Sequence, residues 1–275
     1  MTIDFSKKNG NNMTRYSSSG IAYKVFGSGG KPIVLIHGFI FDSSLWDRQV
    51  PALQDDHTLI VPDLRGFGES INCDGMITLE SYADDILELI RELKLDKPVI
   101  AGLSMGGYAT LRTAERHPEM FSAVVLFDTR ATGDTNEAKV KRAAGVRVIK
   151  AGGLRMYATA LMDSVFSEKF KQNEPEIFQG FIDRGSSIKP EGAIGALLAM
   201  MGRTDTTSFL ESTDLPVLAI CGEHDALTPP AEMTAMMKNV RNGELHIIPG
   251  AGHAAPFEEP GACNTILKDF LARVN

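Results

Sequence analysis

The sequence predicts an α/β chain: a mostly parallel, open, twisted sheet with helices on both faces, and a helical cap inserted late in the chain. Three observations lead there. Short apolar runs alternate with amphipathic stretches, the pattern of buried parallel strands joined by right-handed helical crossovers. A serine flanked by glycines, in Gly102-Leu103-Ser104-Met105-Gly106-Gly107, stands between one such run and one such helix. From about residue 130 to 210 the alternation stops, and only helix-like segments remain.

Taken in order, residues 21–26 alternate as a half-buried strand does, and Gly27-Ser28-Gly29-Gly30 then breaks the chain ahead of Pro32. Residues 33–36, 58–61, 99–101 and 123–127 are apolar without alternation and read as strands covered on both faces. Two more such runs, 217–220 and 245–248, come late. Over 79–93 the apolar residues Tyr82, Ile86, Leu89, Ile90 and Leu93 keep the spacing of one helix face, with Thr78 placed as N-cap. Residues 108–116 form a further helix after the serine. Beyond residue 130, helix-like segments at 137–150, 154–166, 175–182 and 193–201 are punctuated by glycines. That interval is too long for a loop in a compact domain. The expected organisation is a core of residues 20–129 and 211–275, a helical cap or lid of 130–210 over the sheet's carboxyl edge, and a polar N-terminal extension of 1–19.

Composition narrows the function classes. With 28 basic and 35 acidic side chains in 275 residues, the net charge is −7, which argues against a nucleic-acid binder because phosphate backbones are held by clustered Lys and Arg. The densest basic stretch, Lys139-Val140-Lys141-Arg142, reads as a solvated helix face. The longest apolar stretch, 196–201, is far too short to cross a bilayer, so no membrane association is expected. Cys73, Cys221 and Cys263 are odd in number and form no C-x-x-C pair, which suggests neither a disulfide framework nor structural zinc and makes a reducing cytoplasm the expected setting. No H-x-H-x-D or H-E-x-x-H grouping occurs, and no glycine segment has G-x-G-x-x-G spacing or a Lys-Ser/Thr end. Neither metal nor cofactor is expected.

The chemistry centres on Ser104. G-x-S-x-G between a strand and a helix is a turn so tight that small residues must flank the nucleophile, and it lifts the hydroxyl above the sheet at a helix N-terminus. Serine needs a base, and the base needs an orienting group. His253, in Gly250-Ala251-Gly252-His253 just past the last strand, is the candidate base. The acid is sought at another strand end, where Gly222-Glu223-His224-Asp225 offers Asp225; Asp128, after residues 123–127, is the alternative acid. Asp225 is favoured by its turn and by the order Ser, Asp, His. For an oxyanion hole, the backbone N–H of Met105 and that of Phe39, in His37-Gly38-Phe39, are the expected donors. His37 reads as a structural brace of its loop.

Together with Trp46 and the segment Pro62-Asp63-Leu64-Arg65-Gly66-Phe67-Gly68-Glu69-Ser70, these residues resemble the α/β-hydrolase superfamily, in particular its small serine esterases, enol-lactone hydrolases and cofactor-free perhydrolases. The resemblance runs from roughly Tyr23 to Leu271. It implies that Asp63 and Arg65 brace loops, and that serine in place of Asp or Cys at position 104 argues against haloalkane dehalogenases, epoxide hydrolases and dienelactone hydrolases. The expected function is therefore hydrolysis of a small, largely apolar carboxylic ester through a Ser-His-Asp triad and an acyl-enzyme. Lactone or enol-lactone hydrolysis, or perhydrolysis, on the same triad is one alternative; a ligand-binding or signalling protein with negligible turnover is another. A small-molecule ester or lactone is the expected partner, and oligomeric state is not legible. The pocket walls are expected to be mostly uncharged, drawn from Phe39, Ile40, Phe41, Met156, Leu161, Met162, Phe166, Leu197, Leu198, Met200 and Met201.

Overall fold

The computed structural model describes residues 13–71 and 75–274; residues 1–12 of the polar extension and Cys73 lie outside them. Among the described residues eight strands form one sheet: β1 Arg15–Tyr16, β2 Ala22–Phe26, β3 Pro32–Ile36, β4 Thr58–Pro62, β5 Val99–Leu103, β6 Ala123–Phe127, β7 Val217–Gly222 and β8 Gly243–Ile248. Their spatial order is β1-β2-β4-β3-β5-β6-β7-β8. β1 and β2 pair antiparallel with each other, as do β2 and β4, and every later pair is parallel. The central strands β4, β5, β6 and β7 are buried along their whole length, which is why they show no polar alternation.

Twelve α-helices among the described residues accompany the sheet: α1 Val50–Leu53, α2 Leu79–Glu92, α3 Met105–Arg116, α4 Asn136–Lys150, α5 Leu154–Val165, α6 Glu168–Asn173, α7 Pro175–Ser187, α8 Pro190–Met201, α9 Thr207–Ser212, α10 Pro230–Met237, α11 Ala255–Glu258 and α12 Pro260–Val274. Thr78 caps α2: its Oγ1 accepts from the Ser81 N–H at 3.1 Å while the Ser81 hydroxyl reaches back to the Thr78 N–H, so two otherwise orphaned donors are satisfied. No helix among the described residues is long and apolar enough to cross a membrane.

Two departures from the sequence reading have simple causes. Arg15 and Tyr16 pair with Tyr23 and Ala22 as an edge strand, although two half-exposed polar residues carry no apolar pattern to announce it. Helices α6, α9, α10 and α11 span four to eight residues, too few turns for a 3.6-residue period to show.

The chain leaves β3 for β4 on one side and returns to β5 on the other, so the strand order reverses beside β3. The crevice beyond the carboxyl ends of β3 and β5 is where an open α/β sheet receives ligands. The six helices α4 to α9 lie between β6 and β7 in sequence, and an aromatic cluster joins them to the rest. Phe166 stacks on Phe170 with centroids 4.6 Å apart and meets Phe181 at 5.0 Å. Phe181 in turn meets Phe41, from the loop after β3, at 5.3 Å and Phe257 of α11 at 4.8 Å. Arg48 seals one side, its guanidinium 4.2 Å from the Phe257 ring centre and ion-paired with Glu174.

Phe166 is 3% exposed at the centre of this cluster. Phe166→Ala should cost about 3–5 kcal/mol of stability, read as a lower denaturation midpoint with unchanged slope in urea. A loss under about 1 kcal/mol would show that the cluster collapses freely around the deletion.

Candidate active site

Ser104 follows β5 directly and sits at φ 55°, ψ −115°, a left-handed backbone that non-glycine residues rarely adopt and that costs about 1–3 kcal/mol. Three hydrogen bonds over-determine it. Its N–H donates to Phe127 O at 3.0 Å, and its carbonyl accepts from Thr129 Oγ1 at 2.8 Å and from the Tyr108 N–H at 3.1 Å. The flanking glycines are needed for space. A Cβ on Gly102 would overlap the Gly106 carbonyl, and one on Gly106 would overlap the carbonyls of Ile36 and His37.

His253 and Asp225 come together in the loops after β8 and β7. His253 Nδ1 lies 2.9 Å from each oxygen of Asp225, and both side chains are almost fully buried. Asp225 also accepts from the backbone N–H groups of Leu227 (2.8 Å) and Thr228 (2.9 Å) and from Thr228 Oγ1 at 2.5 Å. Burial alone would raise its pKa; the His253 charge and the bonds from His253 and Thr228 outweigh that and hold it at about 2. The carboxylate is therefore a fixed negative partner, and the Nδ1 that it holds leaves Nε2 as the free ring nitrogen. The His253 loop is itself anchored. Its own N–H donates to Val165 O at 2.7 Å, and the Glu258 carboxylate accepts from Gly252, Ala254 and Ser167. Thr228 and Glu258 are buried partners that the sequence reading did not single out, since neither belongs to a spaced motif.

Asp128, the alternative acid, is directed elsewhere. Its two oxygens accept from the N–H of Gly222 at 2.8 Å and of Ala255 at 3.1 Å, tying the end of β6 to β7 and α11. It too has a positive φ, 44°. Asp128, Cys221 and Asp225 place one ligand atom each within 4.8 Å of one another, the single such trio found among the described residues. Both oxygens of each carboxylate are already held by N–H or O–H donors, and burial pushes the Cys221 thiol far up, away from the thiolate a metal would need.

On the other side of Ser104, the N–H groups of Phe39 and Met105 have no hydrogen-bond partner among the described residues, and both residues are buried. Gly38 brings the Phe39 loop against the elbow: a Cβ there would lie 2.8 Å from Leu103 Cδ2 and 3.4 Å from Ser104 Cβ. His37 fixes that loop. Its Nδ1–H donates to Gly38 O at 2.8 Å, its Nε2 accepts from the Leu64 N–H at 2.9 Å, and burial lowers its pKa so that the ring stays neutral. Asp63 braces the neighbouring turn through the N–H groups of Ser43 (2.6 Å) and Glu69 (2.9 Å), while Arg65 pairs with Asp85.

Ser104 and His253 line one cavity of about 520 Å³, within the range typical of small-molecule sites. Neither Ser104 Oγ nor His253 Nε2 makes a hydrogen bond among the described residues; catalytic bonds of this kind commonly tighten only around a substrate. Of the walls expected from sequence, Phe39, Phe41, Leu161 and Met200 line the cavity. Met156 and Leu198 are exposed, and Ile40, Met162, Phe166 and Leu197 are buried outside the wall, as is the half-buried Met201. Most of the lining is uncharged, but six charged side chains that the sequence reading did not place there, Arg130, Asp134, Glu137, Lys141, Arg142 and Glu232, contribute to it. Of residues 139–142, expected to form a solvated face, Lys139, Val140 and Lys141 are exposed, whereas Arg142 turns in to donate to Asp134 at 2.5 Å. Burial would raise the Asp134 pKa, but Arg142 and Arg203 together hold it below the usual range.

The paired carboxylates make a pH prediction. Burial and then the nearby Asp225 charge raise the Asp128 pKa well above its ordinary value, against the two N–H bonds. Between those two values the folded chain keeps a proton that the unfolded chain has released, so this residue's contribution to stability falls as pH rises through the window. Asp128→Asn removes the titration, and its unfolding free energy should change less with pH above the ordinary aspartate pKa than that of the parent protein. Identical pH slopes in urea unfolding would mean that Asp128 is ionised in the fold.

Known proteins resemble this chain along most of its length. A model of the alpha/beta hydrolase family matches residues 33–266. A thermophilic esterase from Thermogutta terrifontis, solved with malate bound, is 34% identical, with a TM-score of 0.89 over 95% of this chain and 98% of that one. The enol-lactonase from Burkholderia xenovorans LB400 is 26% identical, with a TM-score of 0.85 over 92% and 96% of the two chains. Among curated relatives, 3-oxoadipate enol-lactonase 2 from Acinetobacter baylyi is 25% identical over 92% of this chain and 93% of its own. The matched span runs from β3 into α12 and takes in the serine elbow, Asp225 and His253, and the chain belongs to the alpha/beta hydrolase family.

Proposed function

We propose that this hydrolase cleaves small carboxylic esters through Ser104, His253 and Asp225. The reading rests above all on the Asp225–His253 pair, buried and bonded at 2.9 Å, sharing one cavity with a serine held in a strained turn. His253 Nε2 takes the Ser104 proton as Oγ bonds to the ester carbonyl carbon, and the imidazolium formed is stabilised by Asp225. The carbonyl oxygen becomes an oxyanion held by the N–H groups of Phe39 and Met105. Collapse of this intermediate breaks the bond to the alcohol oxygen, which leaves with the proton from His253. Water then gives its proton to Nε2 and attacks the acyl carbon, and breaking the Oγ–acyl bond returns the proton to Ser104 and releases the acid. Every atom comes from substrate, water and protein, so the scheme needs no cofactor.

Residues 20–129 and 211–275 act as the catalytic core in this reading, and 130–210 as its lid. The acyl group rests on Phe39, Phe41, Leu161, Val165 and Met200, an apolar lining for a short chain, while the charged rim from α4 and α10 suits a polar or hydrated leaving group. Lactone hydrolysis is the second reading, favoured by relatives named enol-lactonases: the same steps apply, with the leaving alcohol tethered to the acyl group.

Ser104→Ala should lower kcat on a short-chain p-nitrophenyl ester by at least about 10³-fold with KM changed only slightly, because the hydroxyl acts in the transition state. Turnover at the parent rate would end the proposal. A panel of p-nitrophenyl esters of increasing acyl length, a simple lactone, and hydrogen peroxide as acceptor separates the readings. Short acyl esters should give the highest kcat/KM; a lactone turned over faster than every open ester would promote the second reading over the first.

A further inference from the structure

The three residues that follow Gly38 are gripped, one after another, by the inserted helices. The Phe39 ring meets Tyr157 of α5 edge-on at 6.2 Å. The Phe41 ring meets Phe181 of α7 at 5.3 Å and Phe166, just past α5, at 6.2 Å. Between them Ile40, 2% exposed, lies against Gly185 of α7. A Cβ on that glycine would stand 2.9 Å from Ile40 Cδ1 and 3.4 Å from both Ile40 Cγ1 and the Ile40 carbonyl oxygen. Phe181 and Gly185 are buried and one helical turn apart on α7, so they share the face turned to this loop.

Ile40 is also strained. Its φ is 54°, in the left-handed region where a β-branched side chain is an outlier that costs on the order of 1–3 kcal/mol. The Phe41 N–H donates to Gly38 O at 3.3 Å, which closes a four-residue turn with Ile40 in its third place, and a positive φ there ordinarily calls for Gly or Asn. One bond of that length contributes no more than about 1 kcal/mol, so the turn needs the packing around it. Ser104 and Asp128, the other left-handed residues of the site, are fixed by hydrogen bonds. Ile40 is fixed by packing, and α7 supplies part of it. Releasing Ile40 to a negative φ would rotate the peptide plane that joins it to Phe39, in the stretch that carries one of the two expected oxyanion donors.

We propose that Ile40 and Gly185 are positioning residues of the oxyanion hole: α7 holds the Phe39 loop in its strained form, so the inserted helices shape the hole from outside the cavity. This rests on the esterase reading, in which the Phe39 N–H receives the oxyanion. Neither residue lines the catalytic cavity, so a change at either reaches the substrate only through the loop.

Paired substitutions test it with a short-chain p-nitrophenyl ester. Ile40→Gly removes strain and clamp together, and Gly185→Ala crowds Ile40 at the contact; each should lower kcat about tenfold or more with KM within about twofold, because an oxyanion donor acts in the transition state. Alanine suits the helix by up to about 1 kcal/mol, so the loss in Gly185→Ala should not track a loss of Tm. Adding Ile40→Val to Gly185→Ala takes away the Cδ1 that the new Cβ meets, and should recover most of the lost kcat. Where Ile40→Gly fails to fold, Gly185→Ala and its double variant carry the test. An unchanged kcat in Gly185→Ala, a loss shared equally by KM, or a double variant no better than Gly185→Ala would each overturn the proposal. Labelling by a fluorophosphonate, which draws on the same donors without turnover, separates this from the reading beneath it. A parent protein that does not label sinks both; a parent that labels, with Gly185→Ala labelling equally fast, overturns the positioning role alone.

Discussion

The backbone at Ser104 is the constraint on which the rest of the site depends. A left-handed serine is held at the end of β5 by bonds from both sides of the turn, to Phe127 and from Thr129 and Tyr108. Each such bond contributes on the order of 1 kcal/mol, enough together to offset the strain. The turn works only if β3, β5 and α3 come closer than ordinary side chains permit, which is why the Gly102 and Gly106 positions admit no Cβ. That same closeness carries the Phe39 loop to within contact of the elbow. Geometry at one residue thus dictates glycine at its flanks, the central place of β5 in the sheet, and a buried, neutral His37 to hold the facing loop.

Most of the sheet could be read from sequence because burial on both faces leaves unbroken apolar runs, as at Val99–Leu103 and Ala123–Phe127. The edge was harder. β1 is two residues long and β8 is half-exposed along most of its length, so hydropathy says little about where the sheet ends. Helix α12 buries Cys263, Leu267, Phe270 and Leu271, a spacing of three and four that the sequence itself carries.

The site divides along the same line. Ser104, Asp225 and His253 each fall immediately past a strand, and the parallel sheet brings all such positions to one edge; local spacing was enough to propose them together. What lines the cavity depends instead on how the α4 to α8 helices rotate about their axes. Composition alone cannot say that Met156 faces water while Arg142 turns in toward Asp134. Nor does any motif announce Thr228 or Glu258, which matter through buried bonds to residues far away in the chain. The two aspartates show how fine the distinction is: Asp128 and Asp225 follow neighbouring strands and both accept backbone N–H bonds, and what separates them is that Asp225 also meets the imidazole of His253.

One set of bonds ties the site's history to its shape. The His253 N–H is spent on Val165, and Glu258 gathers Gly252, Ala254 and Ser167 onto one buried carboxylate. The end of α5 and the start of α6 are therefore part of the scaffold of the histidine loop. A helical insertion attached in this way cannot swing out whole without breaking the bonds from His253 to Val165 and from Ser167 to Glu258. It also cannot be exchanged between relatives as a free-standing module. A transplanted insertion would have to travel with the segment from Gly250 to Glu258, which lies over 80 residues from the end of α5 in sequence yet holds it by buried bonds.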